Sequence, residues 1–233
     1  MSGAGALLPA RLRVFLADDH TIVRDGLRAL LSAQSWATVV GEAGNGRAAV
    51  SLALTLRPDV VVMDIAMPEL NGIDAAREIR AQLPNTQIVM LSMHASAEHV
   101  VRALQAGALG YLLKESAGRD VLAAIQAVHA GRRYISHPIG ETVVDDLLRQ
   151  GASRAAHTPL ETLSQRERQV LQLVAEGHSS ADIGQRLSLS PKTVDNYRSR
   201  LMRKLGVANL AGLIRFAIDN GLTPAWLPAK HHE

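Results

Sequence analysis

Reactive side chains follow several short apolar segments in the first half of this 233-residue sequence. Asp18 and Asp19 follow the first segment, and Asp64 follows the third. Ser92 and Lys114 come at the ends of the fourth and the fifth. In an open parallel sheet the carboxyl ends of the strands lie along one edge, where ligands bind. If the segments are strands, we expect these five side chains to share one site.

The chemistry of such a site follows from its charges. Crowded carboxylates repel one another, which raises their proton affinity unless a cation is present. Mg²⁺ relieves this repulsion and typically takes one or two carboxylates with waters and a phosphate oxygen. Ser92 can donate a hydrogen bond to a phosphoryl oxygen, and Lys114 supplies a compact positive charge. Any one of these residues alone is more often a helix cap or a surface charge, but together they favour a site for Mg²⁺ and a phosphoryl group.

The apolar segments alternate with helical patterns between residues 11 and 130. Nearly continuous apolar runs are typical of strands buried on both faces of a parallel sheet. Between them, Ile22–Leu31 and Ile73–Leu83 have apolar residues at the three- and four-residue spacing of helices. The expected strands are Leu12–Ala17, Thr38–Ala43, Asp59–Met63, Gln87–Leu91 and Leu109–Leu113. This alternation predicts an α/β fold with a doubly wound, five-stranded parallel sheet and helices on both faces.

The rest of the chain differs in pattern and in charge. Residues 131–160 lose the alternation and are interpreted as a linker before a smaller all-α domain over residues 161–225. Residues 151–233 carry 11 Lys and Arg against 7 Asp and Glu, whereas residues 1–150 carry 14 against 15. A basic module behind a nearly neutral one favours a polyanion as its partner.

Four helices are expected in the smaller domain. Ser164 and Glu167 form a capping-box pattern at the start of the first. Ser179 opens a short second helix, and Ser190, followed by proline, caps a third. A fourth helix is expected over Leu210–Asp219. Two short helices joined by a tight turn, the second one basic, are typical of a helix-turn-helix.

The third of these helices carries the residues expected to contact DNA. Because Val194 and Leu201 face inward, helical spacing gives an outward stripe. This stripe consists of Lys192, Asn196, Ser199 and Arg203. Lys192 and Asn196 can reach base edges. Contacts to phosphates, which position the protein without specifying sequence, are expected from Thr193, Arg200, Arg203 and Lys204.

Composition excludes several classes of protein. Without cysteine the chain has no disulfide framework, thiol nucleophile, or cysteine-ligated zinc or iron–sulfur site. No apolar run approaches the roughly 20 residues that cross a bilayer, and the first ten residues lack the basic start of a signal peptide. We therefore expect a cytoplasmic protein without a membrane partner.

Several motifs then resemble a known family. The first half contains Leu16-Ala-Asp-Asp-His20, Met63-Asp-Ile-Ala-Met-Pro68, Leu91-Ser92 and Gly110-Tyr-Leu-Leu-Lys114. These motifs resemble the receiver domain of two-component response regulators. The second half contains Leu163-Ser-Gln-Arg-Glu-Arg168, Ser190-Pro-Lys-Thr-Val194 and Arg203-Lys-Leu-Gly206. These motifs resemble the LuxR-type helix-turn-helix. Their order and spacing resemble a response regulator of the NarL/FixJ type, which implies a flavodoxin-like receiver followed by a DNA-binding domain.

The resemblance implies a phosphoacceptor and a metal site. Asp64 would accept a phosphoryl group from a sensor histidine kinase. Mg²⁺ would be held by Asp18, Asp19, Asp64 and the backbone carbonyl of Ala66. Such a chain is not an enzyme, although it would slowly lose its own phosphoryl group. Phosphorylation would promote homodimer formation and binding to double-stranded promoter DNA, with RNA polymerase as a further candidate partner.

The resemblance also implies roles around the phosphoryl group. Ser92 and Lys114 would contact its oxygens, and Tyr111 would be the aromatic residue that reorients on activation. Glu115 follows Lys114 where many receivers have proline, a departure that concerns the local loop geometry. Without the resemblance, Tyr111 would be interpreted as a packed strand residue.

Two other function classes are weighed against this one. A dehalogenase-like phosphatase also uses a strand-end aspartate with Mg²⁺, but it would need a second aspartate where Ala66 stands. A LuxR-type receptor for a diffusible ligand shares the second domain, but its first domain should be rich in aromatic residues, and the aromatic fraction here is 3%. Both comparisons favour the response regulator.

The fourth helix of the small domain offers a face for pairing. Apolar residues at i, i+3, i+4 and i+7 form a stripe of Leu210, Leu213, Ile214 and Ala217. The stripe could bind a second copy of the chain or only close the small core.

Overall fold

The computed structural model of the chain describes residues 11–93, 97–137, 139–140, 159–160 and 162–223. Strands and helices alternate in the first domain. The strands are β1 (Leu12–Ala17), β2 (Ala37–Ala43), β3 (Val60–Asp64), β4 (Gln87–Ser92), β5 (Gly110–Leu113) and β6 (Tyr134–Ile135). The helices are α1 (Thr21–Ser32), α2 (Gly46–Leu56), α3 (Gly72–Gln82), α4 (Ala97–Gln105) and α5 (Ala117–His129). All strand pairs are parallel, in the order β2-β1-β3-β4-β5-β6.

This order brings the ends of β1 and β3 together. The two strands are hydrogen-bonded neighbours, although β2 lies between them in the sequence. The chain therefore extends the sheet in one direction from β1 to β2 and in the other from β3 onwards. Ligands bind at the carboxyl ends of strands where such a reversal occurs, and Asp18, Asp19 and Asp64 stand at this point.

Two apolar cores cover the two faces of the sheet. Side chains alternate along each strand, so Phe15, Met63 and Tyr111 pack into the core on one face. Leu16 and Leu112 pack into the core on the other. The doubly wound α/β fold expected from the apolar runs is confirmed.

The sheet contains the five expected strands and, within the described ranges, one more. Tyr134 and Ile135 pair with Gly110 and Tyr111, and Ile139 is fully buried against the first core. A two-residue strand is too short to give a periodic pattern in the sequence. It lies within residues 131–160, the expected linker, of which residues 138 and 141–158 lie outside the described part.

The second domain consists of helices with well-defined starts. They are α6 (Gln165–Ala175), α7 (Ser180–Leu187), α8 (Pro191–Leu205) and α9 (Leu210–Asp219). Ser164 and Glu167 form the expected capping box. The side chain of Ser190 accepts a hydrogen bond from the Thr193 amide, with proline at the first turn. Gly206, at φ 66°, ends α8 in the left-handed conformation that glycine tolerates best.

No helix among the described residues is long and apolar enough to cross a membrane.

Candidate functional site

The structure brings the carboxylates and the lysine predicted from the sequence into one cluster. The Lys114 Nζ atom lies 2.8 Å from Asp18 Oδ2 and 2.8 Å from Asp64 Oδ2. His20 Nδ1 lies 2.6 Å from Asp19 Oδ1 and 3.2 Å from Asp18 Oδ1. The side chain of Asp64 is 3% exposed and that of Asp18 is 1% exposed. The cluster is therefore a buried acidic site with one lysine bridging two of its three carboxylates.

Backbone contacts hold the ends of the strands that carry these side chains. The Lys114 amide donates to the Ser92 carbonyl at 2.8 Å, which ties the ends of β4 and β5 together. The Gly72 amide donates to the Ile65 carbonyl at 2.8 Å. A Cβ atom on Gly72 would lie 1.9 Å from the Asp64 carbonyl oxygen, so only glycine lets α3 begin this close to β3.

The charges in the cluster shift the acidities of its members. Burial raises the pKa of Asp64 to about 6; Lys114 opposes this shift, and the charges of Asp18 and Asp19 add to it. Burial acts to lower the pKa of Lys114, but the neighbouring Asp64 and Asp18 outweigh it and raise that pKa. Asp64 is therefore a carboxylate whose ionised form depends on nearby positive charge.

The donor set fits a hard divalent cation. Ligand atoms of Asp18, Asp19, His20 and Asp64 all lie within 4.8 Å of one another. Three of these four residues offer carboxylate oxygens, which Mg²⁺ prefers. The raised pKa of Asp64 shows that Lys114 does not fully offset burial and repulsion, so a cation at this edge would stabilise the ionised carboxylates.

Ala66 contacts Asp64, and Ser92 and Tyr111 lie on β4 and β5, the next two strands of the sheet. Ser92 is 4% exposed, and Tyr111 is fully buried in the sheet. The two share a side-chain hydrogen bond, while burial raises the pKa of Tyr111 to about 12. The Ala66 amide lies 3.4 Å from Asp64 Oδ1 and donates to it. The structure thus brings Asp18, Asp19, Lys114 and Ala66 to Asp64. Ser92 lies at the end of the neighbouring strand β4, and Tyr111 lies within β5.

The outward stripe predicted on the third helix of the small domain lies on the surface of α8. Val194 and Leu201 are fully buried. The exposed residues of α8 include Lys192, Asn196, Ser199, Arg200, Arg203 and Lys204. Thr193 is half-buried, and its hydroxyl lies 2.8 Å from that of Ser190. A continuous polar and basic surface therefore faces away from the core.

Lys204 and Asp195 of α8 contact neighbouring helices. Lys204 Nζ donates to Glu167 Oε2 at 2.9 Å, so it joins α8 to the capping box of α6. The Ser180 hydroxyl donates to Asp195 Oδ1 at 2.6 Å. Asp195 therefore ties α8 to the start of α7.

On α9 the apolar stripe is divided. Leu213 and Ala217 are fully buried in the small core. Leu210 is 42% exposed, and Ile214 is half-buried. Leu213 and Ala217 therefore complete the small core. Leu210 and Ile214 form a partly exposed apolar edge of α9.

A polar interface joins the two domains through residues that the sequence did not single out. Arg168 Nη2 of α6 donates to Asp74 Oδ1 of α3 at 3.0 Å. Gln172 of α6 bonds to the backbone of Met67 and Asn71. These contacts join residues about 100 positions apart and follow no local pattern, so no sequence signal could have found them. His20 belonged to a motif quoted for the resemblance, but its type alone did not mark it as part of the acidic cluster.

With this geometry in place, comparison with known proteins decides the family. Residues 14–126 match the response regulator receiver domain, and residues 161–217 match the luxR family of bacterial regulatory proteins. The chain belongs to the response regulators. It is a DNA-binding transcriptional regulator of the NarL/FixJ type.

Relatives of this response regulator are similar over nearly their whole length. The response regulator UvrY of Escherichia coli (strain K12) is 37% identical over 214 residues, which are 92% of this chain and 97% of UvrY. The DNA-binding transcriptional activator DevR/DosR of Mycobacterium tuberculosis is 36% identical over 208 residues, 89% of this chain and 94% of DevR/DosR.

Solved structures resemble the response regulator across both domains. The two-component response regulator RcsB in a complex with DNA is 28% identical, with a TM-score of 0.56, covering 89% of this chain and 98% of RcsB. A structure of two RcsB dimers bound to two parallel DNAs is 28% identical, with a TM-score of 0.55 over the same shares. Both confirm the receiver-like α/β fold followed by a helical domain.

Proposed function

We propose that Asp64 is the phosphoacceptor of this response regulator and that a sensor histidine kinase supplies the phosphoryl group. The observation that carries the proposal is the buried Asp64 carboxylate, 2.8 Å from Lys114 Nζ and beside Asp18 and Asp19. Phosphoryl transfer needs mainly positioning and charge stabilisation. This cluster offers both.

In the transfer, an Asp64 carboxylate oxygen attacks the phosphorus of the kinase phosphohistidine. The new bond is P–O, the P–N bond breaks, and its electron pair and a proton remain with the kinase imidazole. Lys114 draws charge from the transferred oxygens, and the Ala66 amide is placed to donate to one of them. Mg²⁺, held by Asp18, Asp19, Asp64 and the Ala66 carbonyl, would neutralise further charge when bound.

The acyl phosphate would change the balance of hydrogen bonds around Ser92. A phosphoryl group carries about −1.5 to −2 charges at neutral pH. We expect the Ser92 hydroxyl to donate to this group and to give up its bond with Tyr111, which frees Tyr111 to reorient. Water would slowly hydrolyse the acyl phosphate and return Asp64, so the chain acts as an acceptor and not as a catalyst of other substrates.

For the second domain we propose that α8 enters the major groove of promoter DNA. Lys192 and Asn196 lie at the start of the exposed stripe and can reach base edges. Phosphate contacts come from Thr193, Arg200, Arg203 and Lys204, with Ser199 between them on the same surface. RcsB, a relative of similar fold, has been solved with DNA.

One module contacts few bases, so we propose that the phosphorylated chain binds as a homodimer to two half-sites about one helical turn apart. The solved RcsB dimers on DNA support such pairing. Recruitment of RNA polymerase would follow from promoter binding. Because the protein must reach both promoter DNA and the kinase, we propose that it is cytoplasmic and has no membrane partner.

We propose functional boundaries that follow from these roles. Residues 11–130 act as the receiver, residues 131–160 as the linker and residues 161–225 as the DNA-binding domain. Residues 224–225 lie outside the described part of the chain.

Acetyl phosphate with Mg²⁺ tests the phosphoacceptor. The wild type should gain one acid-labile phosphoryl group, and Asp64→Asn should gain none. Asp25→Asn, on the exposed surface of α1, serves as the matched control and should be labelled like the wild type. Full labelling of Asp64→Asn would overturn the assignment.

A further inference from the structure

Arg24 of α1 reaches back to the turn between β1 and α1, which comprises residues 18–21. Its Nη1 donates to the Asp18 carbonyl at 2.5 Å, and its Nη2 donates to Thr21 Oγ1 at 3.2 Å. The Arg24 side chain is 17% exposed. One largely buried guanidinium group therefore spans the turn that carries Asp18 and Asp19.

The carbonyl that Arg24 contacts lies just beyond the hydrogen-bonded part of β1. The pairing of β1 with its neighbours ends at Ala17. The Asp18 amide makes one more bond along this edge, to the Ala43 carbonyl at 3.1 Å. Arg24 holds the next polar atom of the backbone, so the support of the strand end continues from β2 to α1.

The direction of the Asp18 carbonyl bears on two carboxylates at once. The peptide group is planar, so this carbonyl and the Asp19 amide turn as one unit. Rotation of this unit changes ψ of Asp18 and φ of Asp19, and therefore turns both side chains relative to Asp64. The Asp18 carboxylate is held in its present direction by the His20 amide, 2.8 Å from Oδ1, and by Lys114 Nζ, 2.8 Å from Oδ2.

Glu42 of β2 holds Arg24 from the other side. Its Oε2 lies 3.6 Å from Arg24 Nε, and its Oε1 accepts from Arg28 Nη1 at 3.0 Å. Arg28 lies one turn further along α1, contacts Glu42 and Asp25, and is 50% exposed. Because Glu42 balances the charge of these arginines, Arg24 acts on the acidic cluster mainly through its bond to the turn.

We propose that Arg24 is a positioning residue for the metal site: through the Asp18 carbonyl it keeps the Asp18 and Asp19 carboxylates directed towards Asp64. The inference rests on the proposed function, in which these carboxylates hold Mg²⁺ for phosphoryl transfer. Position and charge predict opposite signs. Removal of an arginine near a cation site would tighten cation binding by charge alone, whereas loss of the positioning bond weakens it.

Metal binding in the absence of a phosphoryl donor tests the proposal on the full-length chain. Mn²⁺ suits the same oxygen ligands, and the loss of its free-ion EPR signal gives its affinity, with Mg²⁺ titrated in competition. Arg24→Met keeps much of the side-chain length and removes the donors. It should weaken binding of both ions by about tenfold or more, as does the loss of other groups that orient metal ligands.

Arg28→Met is the matched control. It removes an equal charge from the same helix and from the same partner, Glu42, but it leaves the bond between Arg24 and the Asp18 carbonyl in place. The affinities for Mn²⁺ and Mg²⁺ should therefore be those of the wild type.

Two further variants address charge and the partner of Arg24. Arg24→Lys keeps the charge and one donor for the Asp18 carbonyl, so it should recover most of the affinity that Arg24→Met loses. Glu42→Gln should weaken metal binding less than Arg24→Met does. Combined with Arg24→Met it should add nothing, because both substitutions act on the same contact.

Labelling of Asp64 by acetyl phosphate distinguishes a positioning role from misfolding. In Arg24→Met the Mg²⁺ concentration that gives half-maximal labelling should rise by the same factor as the metal dissociation constant. A misfolded chain would instead lose labelling at every Mg²⁺ concentration. In that case the Glu42→Gln affinity decides, and a value equal to that of the wild type would overturn the proposal.

The outcomes separate this inference from the function on which it rests. Metal binding by a folded Arg24→Met variant that is as tight as in the wild type, or tighter, would show that Arg24 does not position the carboxylates. If the wild type binds Mn²⁺ and Mg²⁺ no better than Asp19→Asn does, the proposed metal site itself fails, whatever the role of Arg24.

Discussion

The Lys114 ammonium and the Asp64 carboxylate form a buried ion pair with an Nζ–Oδ2 distance of 2.8 Å. The same ammonium contacts Asp18 at 2.8 Å. A single positive charge therefore serves two carboxylates of a three-carboxylate cluster. Because this one ammonium is shared between two carboxylates, the reactivity of Asp64 should depend strongly on Lys114.

Lys114→Gln should slow phosphorylation of Asp64 by acetyl phosphate by about 100-fold or more, since loss of one preorganised donor at a developing charge has an effect of this size. Lys192→Gln, on the surface of α8, removes an equal charge far from the site and should leave the rate unchanged. Phosphate-affinity gels give both rates. Equal rates for the two variants would exclude Lys114 from the transfer.

The docking of the domains should weaken in acid because of Asp74. Burial acts to raise its pKa, but hydrogen bonds and charge from Arg168, with Asn71 and Arg77, outweigh burial and lower it. A lowered pKa means that the ion pair contributes fully above the ordinary carboxyl pKa of about 3.9. Its contribution is lost as the pH falls below that value through the lower, folded pKa.

The chain contains no cysteine, so energy transfer between dyes on Ser51→Cys of α2 and Gln185→Cys of α7 measures this loss during an acid titration. Asp74→Asn should remove the step that Asp74 contributes and weaken docking at neutral pH. An unchanged titration in Asp74→Asn would exclude Asp74 as the group that weakens docking in acid.

Two residues of α8 should differ in their effect on DNA binding. Arg203→Ala should weaken binding to all sequences and reduce the salt slope by about one unit, as expected of a phosphate contact. Asn196→Ala should relax preference at one or two base positions, with a loss of about 1–3 kcal/mol per bidentate contact. Fluorescence anisotropy across salt concentrations and across single-base variants of the site separates the two. If neither substitution alters affinity or preference, α8 does not lie in the groove.

Lys204 should show a mixed effect, because it contacts Glu167 within its own domain. Lys204→Ala should weaken DNA binding and also lower the free energy of unfolding by about 1 kcal/mol, because the lysine end of the pair is exposed to solvent although Glu167 is buried. Glu167→Gln, with the lysine retained, should lower stability without a parallel loss of affinity. Chemical denaturation and anisotropy of both variants provide the comparison.

On α9, the exposed Leu210 should contribute to dimer formation, and the buried Leu213 should contribute to folding. Leu210→Glu places a charge on a 42% exposed position and should reduce dimer formation on two-half-site DNA without unfolding the domain. Leu213→Ala removes a fully buried side chain and should lower the free energy of unfolding by about 2–5 kcal/mol. Analytical ultracentrifugation and thermal unfolding measure the two effects. A Leu210→Glu variant that still pairs fully would place the dimer contact elsewhere.

The sequence predicted those parts of the molecule that depend on local pattern. Continuous apolar runs marked the strands because both faces of the sheet are covered. The Ser164 and Ser190 caps marked helix starts because the hydroxyl and the amide it caps are three residues apart. Asp18, Asp19, Asp64 and Lys114 could be placed together because the carboxyl ends of parallel strands share one edge.

Other features depend on contacts that no local pattern records. The strand β6 is only two residues long, and its position is determined by its pairing with β5. The contact of Gln172 with Met67 and Asn71 depends on how two separately folded domains meet. A glutamine on a helix is ordinarily interpreted as a solvent-facing residue, and here its amide is fully buried.

Gly72 bears on how variants of this chain are to be interpreted. Its α-carbon stands where a single added methyl group would lie 1.9 Å from the Asp64 carbonyl oxygen. Even alanine at this position would have to push α3 away from the end of β3, and this shift would displace the Asp64 carboxylate from its present position. A variant at position 72 would thus behave like the loss of a reactive side chain, although glycine itself has none. Genetic screens for inactive variants should find this position, and its steric cause would be missed if only charged or polar residues were considered.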